Sequence, residues 1–215
     1  MQKKDYTVMT ELSENFIHKT AIVEPGVILG KKNYIGPYCI IRAGTKIGNN
    51  NRFEAYCSIG TAPEHRDFFN QRGKGVIIGS DCVFREYVTI NSGTKVETAI
   101  GDRVVMLRNS HIGHDSQVED FCNLSCNVLI GGHSYLMEGC NFGLAAMCHQ
   151  HAIIGAYSMI GMGSVVTKDA QIEPGQIYVG QPAKFLKQNH IGLQRGGVTP
   201  EELSEFYNQW LFKTI

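Results

Sequence analysis

The sequence of 215 residues predicts an all-β chain: a parallel β-helix of hexapeptide repeats with a short C-terminal helical segment. Three observations predict it. An apolar residue recurs at every sixth position, the residue after it is repeatedly glycine, and the fifth position of each hexad is repeatedly small. Neither an α-helix of period 3.6 nor an alternating strand produces a strict period of six. Stacked hexapeptides do, with three hexads making one coil of a solenoid.

Residues 1–15 read as an N-terminal extension, with two lysines and no apolar run long enough for a signal sequence. The solenoid is expected over 16–182. Its register starts at Ile17 and runs through Val23, Leu29, Ile35, Ile41, Ile47 and Phe53 to Ile59. It resumes at Ile78, Phe84 and Ile90, and then continues without a miss from Ile100 through Met106, Ile112, Val118, Leu124, Ile130, Leu136, Phe142, Cys148, Ile154, Ile160, Val166 and Ile172 to Tyr178. Each of these residues is an inward peg. One coil cannot bury its pegs alone, but coils stacked at about 4.8 Å form a continuous apolar column. Glycine after the peg, as in Leu29-Gly30 or Ile154-Gly155, suits corners where a β-carbon does not fit. The fifth position also faces inward in a cramped place, filled by residues such as Ala21, Ser110, Ser116 and Ser134 and by Cys39, Cys57, Cys82, Cys122 and Cys140. Five of the seven cysteines are thereby explained as compact core residues, and the odd total argues against a disulfide framework.

Two interruptions break the register, a loop over 61–76 and a shorter one near Val96 to Ala99, and solenoid loops are where function concentrates. Residues 183–215 read as a connector and one helix. Thr199 is its N-cap, Pro200 opens the first turn and Glu202 completes a capping box. Leu203, Phe206, Tyr207, Trp210 and Leu211 then form a docking stripe on one face.

Composition narrows the function. Twenty basic residues balance twenty acidic ones, so no bulk field draws the chain to nucleic acid, and nowhere do 18 apolar residues run consecutively. A cytoplasmic protein without a membrane span is the expectation. Residues 18 apart share a place on successive coils, which puts Gly132 and Gln150 beneath His114, and His133 and His151 beneath Asp115. His111, His114, His133, His149 and His151 therefore gather on one edge of three coils, outside the peg and small-residue positions. An imidazole titrating near neutrality suits a general base. Asp115 can orient His114, and the N–H of Gly132, beside an open niche, can hold an oxyanion. This constellation suits acyl transfer.

The ordered motifs HIGHD at 111–115, GGHS at 131–134 and MCHQH at 147–151, with REYVTINSGT at 85–94 and NHIGLQRGG at 189–197, resemble the UDP-N-acetylglucosamine acyltransferases of lipid A biosynthesis over about residues 16–200. The resemblance implies a left-handed solenoid, since ordinary crossovers prefer the right hand, and a homotrimer with sites between neighbouring subunits. It implies transfer of an acyl group from the phosphopantetheine of acyl carrier protein to the sugar 3-hydroxyl, with no bound cofactor or metal. By the same resemblance, His114 is the general base, Asp115 its carboxylate partner and Gly132 the oxyanion donor. His111, His133, His149 and Gln150 line the cleft, and Asn189 and Arg195 belong to the nucleotide-binding segment. Where the family has an Asp and a Lys that contact the sugar, this chain has His65 and Asp67, and Gly196 replaces the second of two arginines. One N-terminal coil is missing and the multi-helix C-terminal domain is reduced to about one helix. The phrase VGQPAK is shared with hexapeptide acetyltransferases, so N-acetylation of a nucleotide amino sugar by acetyl-coenzyme A is the alternative. A zinc lyase with three imidazole ligands on the same solenoid, and a noncatalytic scaffold, are more remote.

Overall fold

The computed structural model describes residues 13–69, 71–168 and 170–214, so the N-terminal extension expected over 1–15 lies, up to residue 12, outside the described residues. From Phe16 the chain winds as a parallel β-helix with three flat faces. The first face has ten strands, from Phe16–Ile17 to Lys184–Gln188, the second eight, from Ile22–Val23 to Val165–Val166, and the third seven, from Ile28–Leu29 to Ile153–Ile154. Most strands are two residues long because each hexad spends its other four residues turning a corner.

Coil stacking follows the expected arithmetic. His111 pairs with Leu129, Gln117 with Tyr135 and Asn123 with Asn141, each a step of 18. Across the first loop the step becomes 31, as in Ser58 with Thr89, so thirteen residues are looped out without breaking the stack. Across the second it becomes 22, as in Thr89 with His111, so four are looped out. That second loop sits between the strands Thr89–Asn91 and Thr98–Ile100, a few residues earlier than the sequence suggested.

The pegs are buried from Ile35 onward, Phe53 stacks on Phe84 at 4.6 Å, and each such side chain contributes roughly 1.5–3 kcal/mol of transfer free energy. The fifth-position cysteines and serines are buried as expected, and every cysteine is free. Burial pushes the thiols of Cys82 and Cys148 up to about 12, which leaves them protonated and inert. Asn33 and Asn51 also occupy this position, each carboxamide oxygen accepting the next coil's N–H.

The corners refine the reading of the glycines. A β-carbon on Gly131, which follows the peg Ile130, would lie 2.5 Å from the Gln150 nitrogen of the next coil, so close stacking requires glycine there. The left-handed backbone falls instead two residues later, at the fourth position, where Tyr56, Asp115, His133 and His151 have φ of 65°, 61°, 57° and 64°. Such residues cost about 1–2 kcal/mol each. The stack offsets this by pairing their N–H groups with the coil above, as His133 N–H donates to His114 O at 2.8 Å.

The C-terminal segment is more structured than a connector with one helix. Lys184–Gln188 turns back and pairs antiparallel with Gln176–Val179. Two helices follow, α1 (His190–Gly196) and α2 (Pro200–Thr214). The capping box of α2 is present: Glu202 N–H donates to Thr199 Oγ1, and Thr199 N–H to the Glu202 carboxylate. Trp210 is buried against Met137, Ala156 and Tyr157 with Phe206 beside it, whereas Leu211, expected on this stripe, is exposed. Among the described residues no helix is long and apolar enough to cross a membrane.

Candidate active site

The corner between the second and third faces carries the histidine cluster. His111 ends the alternation on the second face, one residue before the peg Ile112, and its ring points outward. Its Nδ1 lies 2.8 Å from Thr89 Oγ1 on the coil above, and its Nε2 lies 3.7 Å from Glu64 Oε2 in the first loop. Burial lowers the His111 pKa, with His114 adding to the effect and Glu64 opposing it.

Three residues on from His111, His114 is buried and lies against Gly132. A β-carbon on Gly132 would come within 3.0 Å of the ring Cε1 and Nε2, so the niche expected to be open is filled by the edge of the imidazole itself. Glycine leaves the room in which the ring lies. Among the described residues the Gly132 N–H has no acceptor. The same holds at third positions such as Arg108 and Leu144, whereas at Asp102 a neighbouring side chain, that of Asp120, caps the N–H.

His114 Nδ1 is 2.7 Å from Asp115 Oδ2. The left-handed backbone at Asp115 folds its side chain back toward the ring that precedes it, so adjacent residues can meet. The carboxylate then receives four more hydrogen bonds from the second loop. Thr94 N–H and Thr94 Oγ1 both donate to Oδ2 at 2.8 Å, and the N–H groups of Lys95 and Val96 donate to Oδ1 at 2.7 and 3.0 Å. Burial alone would raise the pKa of this carboxyl. The donors from Val96, Thr94, His114 and Lys95 outweigh burial and hold it well below the usual carboxylate range. With the carboxylate ionised and facing Nδ1, the imidazole has its Nε2 left to accept a proton.

His133 lies one coil below, edge-on to His114 with ring centroids 5.0 Å apart, and His151 stacks flat beneath it at 4.7 Å. Burial lowers the His133 pKa; Asp115 opposes this, while His114, His151 and Lys95 add to it. His149 and Gln150 are exposed at the same corner, His149 Nδ1 meeting the Gln150 carbonyl at 2.9 Å. The first loop brings His65 to the cluster, its ring 6.2 Å from that of His114. His65 also caps the short helix Arg66–Phe68, its Nδ1 accepting from Asp67 N–H.

Asn189 and Arg195 lie elsewhere. Asn189 is buried at the corner between the third and first faces, where its side chain caps α1 through Gly192 N–H and donates to the Tyr157 carbonyl. Arg195 is exposed on α1. One chain therefore does not bring this segment to the histidines. Sequence reasoning missed Glu64, Thr89 and the turn at Thr94–Val96. Only Thr89 carried a signal, since counting across the restarted register places it directly above His111.

His114, Asp115 and His133 place three potential ligand atoms within 4.8 Å of one another. Both Asp115 oxygens are already occupied by five donors, so a cation there would have to displace the second loop. The carboxylate fits the anchoring of an imidazole and not a zinc site of the lyase type.

The bacterial transferase hexapeptide (six repeats) family matches residues 26–61. A UDP-N-acetylglucosamine O-acyltransferase structure from Moraxella catarrhalis is 30% identical, covering 92% of this chain and 79% of that one, with a TM-score of 0.68. The chain belongs to the hexapeptide-repeat UDP-N-acetylglucosamine acyltransferase family. The solenoid is a left-handed parallel β-helix. LpxA from Acinetobacter baumannii gives a TM-score of 0.77 at 27% identity, over 91% of this chain and 83% of that one. The acyl-[acyl-carrier-protein]–UDP-N-acetylglucosamine O-acyltransferase of Pseudomonas paraeruginosa is 36% identical over 132 residues, 60% of this chain. The chain spans about half the length of the curated relatives it matches.

Proposed function

We propose that the protein transfers an acyl group from acyl carrier protein to the 3-hydroxyl of UDP-N-acetylglucosamine or a closely related nucleotide sugar, in the cytoplasm. The observation that carries this reading is the buried His114–Asp115 pair lying against Gly132 at the corner where His65, His111, His133 and His151 converge. His114 Nε2 takes the hydroxyl proton as the sugar oxygen attacks the thioester carbonyl, and Asp115 stabilises the imidazolium. The Gly132 N–H donates to the oxyanion of the tetrahedral intermediate. Collapse breaks the carbon–sulfur bond, and the leaving phosphopantetheine thiolate takes the proton back from His114. The sugar carries away the new ester.

No tightly bound cofactor enters this scheme, because the donor brings its own phosphopantetheine. His65, His111, His133, His149 and Gln150 line the cleft around the reacting atoms. The Asn189–Arg195 segment joins it only from a neighbouring copy, in a homotrimer; an exposed Arg195 is free to meet a phosphate, whereas Asn189 holds the backbone of that segment in place.

The test is His114→Ala, assayed with an acyl carrier protein thioester and UDP-N-acetylglucosamine and followed by mass spectrometry. Transfer should fall by roughly 10² to 10⁴. Undiminished transfer eliminates His114 as the base, and activity with acetyl-coenzyme A on an amino sugar alone eliminates the proposed donor and acceptor.

A further inference from the structure

The second interruption of the repeat lies between Ile90 and Ile100, which are ten residues apart instead of six. It leaves the solenoid directly above the site, since the step of 22 places Ser92 over His114 and Gly93 over Asp115. The turn it forms presents the successive N–H groups of Thr94, Lys95 and Val96 to one carboxylate, a concave arrangement suited to an anion. A β-carbon on Gly93 would fall 1.6 Å from the Val96 carbonyl oxygen and 3.2 Å from Asp115 Oδ1, so the turn closes this tightly only with glycine there. The first loop braces it, with Lys74 N–H donating to the Gly93 carbonyl and Gly75 N–H to Ser92 Oγ. Asp115 N–H donates to Thr98 Oγ1, where the chain rejoins the solenoid.

Within this cradle Thr94 is distinct. The Lys95 and Val96 donors engage Oδ1, whereas Thr94 places both its N–H and its hydroxyl on Oδ2, the oxygen that also meets His114 Nδ1. We propose that Thr94 is a positioning residue for the His114–Asp115 pair: its hydroxyl fixes Oδ2 in the plane of the imidazole, so that Nδ1 stays the donor and Nε2 faces the acceptor hydroxyl. The proposal rests on His114 being the general base. Removing the hydroxyl leaves Oδ2 with two partners, the backbone N–H of residue 94 and His114 Nδ1, so it is held less firmly and the ring spends less time in the productive orientation.

Thr94→Val keeps the shape of the side chain and removes only the hydroxyl, while Thr94→Ser restores it. Both are assayed with the acyl carrier protein thioester and UDP-N-acetylglucosamine, beside His114→Ala. The expected result for Thr94→Val is a fall in kcat of roughly tenfold and a KM for the sugar nucleotide within about twofold of the parent. Thr94→Ser should recover most of the rate. If Thr94→Val does not fold, Thr94→Ala carries the same comparison. An unchanged kcat, a loss seen only in KM, or a loss that serine does not repair overturns the positioning role while His114→Ala remains inactive. If His114→Ala itself retains full activity, the general-base reading falls first and takes the proposal with it.

Discussion

Replacing Asp115 by asparagine tests the structure of the site independently of any assay of transfer. The carboxylate accepts from Lys95 N–H and Val96 N–H on Oδ1, and from Thr94 N–H, Thr94 Oγ1 and His114 Nδ1 on Oδ2. An amide must place an NH₂ group on one side. The less damaging choice is the Oδ1 side, where two backbone donors lose their acceptor and face another donor. Each buried donor left unsatisfied costs about 1–3 kcal/mol, so Asp115→Asn should destabilise the chain by about 2–6 kcal/mol. For a chain of this size that is a drop in Tm of about 4–24 °C, measurable by scanning calorimetry at pH 7. The pH dependence adds a second check. Because the Asp115 pKa is held below its ordinary value, its contribution to stability is complete above about pH 4 and is lost as the pH falls toward the depressed folded-state value. The gap in Tm between parent and variant should therefore narrow in strong acid. A variant whose Tm matches the parent within about 2 °C at pH 7 would show that the second loop does not depend on this carboxylate, and the account of the pair as a buried, anchored unit would fail.

Gly132→Ala should fold, because Gly132 has an ordinary φ, yet its β-carbon would press on the His114 ring at 3.0 Å; a loss of transfer of roughly 10- to 100-fold with little change in Tm is expected, and full activity would show that the ring position is not critical. By NMR, the His133 ring should titrate below the usual histidine range, and Lys95→Gln should move it upward, because burial and nearby positive charge both lower it; a midpoint at or above the ordinary value contradicts this. Thr199→Ala removes one half of the capping box and should cost about 1 kcal/mol, seen as a Tm lower by about 2–4 °C with transfer unchanged.

The solenoid was legible because its physics is periodic. A peg such as Ile112 or Ile130 has one place to go, and a residue such as Cys122 or Ser134 can fill the cramped fifth position while a larger side chain meets the next coil. The corners were legible only in part. Glycine after the peg signals close approach between coils, but the left-handed position two residues later is filled by tyrosine, aspartate, histidine and asparagine. Coil-to-coil hydrogen bonding overrides local preference there, and composition carries little trace of it. The strand Lys184–Gln188 was missed for a similar reason: all five of its side chains are exposed, so no alternation of apolar residues marks it. Helix α1 is only seven residues long and its cap is Asn189, a residue that resemblance associates with nucleotide binding.

The histidine cluster was legible by the step of 18, which holds from His111 to His151 because no loop intervenes. What the period could not reach is the part of the site made by chain that leaves the period. His65 and Glu64 come from the thirteen residues looped out first, and Thr94, Lys95 and Val96 from the four looped out next. Residues in such loops have no fixed partner on the neighbouring coil, so their contacts follow from backbone geometry that hexad counting does not contain. Both departures occur above one corner, and each braces the other through Lys74, Gly75, Ser92 and Gly93. The coils stay paired across both breaks, and the two loops meet where a buried carboxylate takes donors that regular coils do not supply. Tyr56 and Tyr87, at the same fourth position, are exposed, whereas the Asp115 carboxylate is buried where the Thr94–Val96 turn folds over it and supplies its donors.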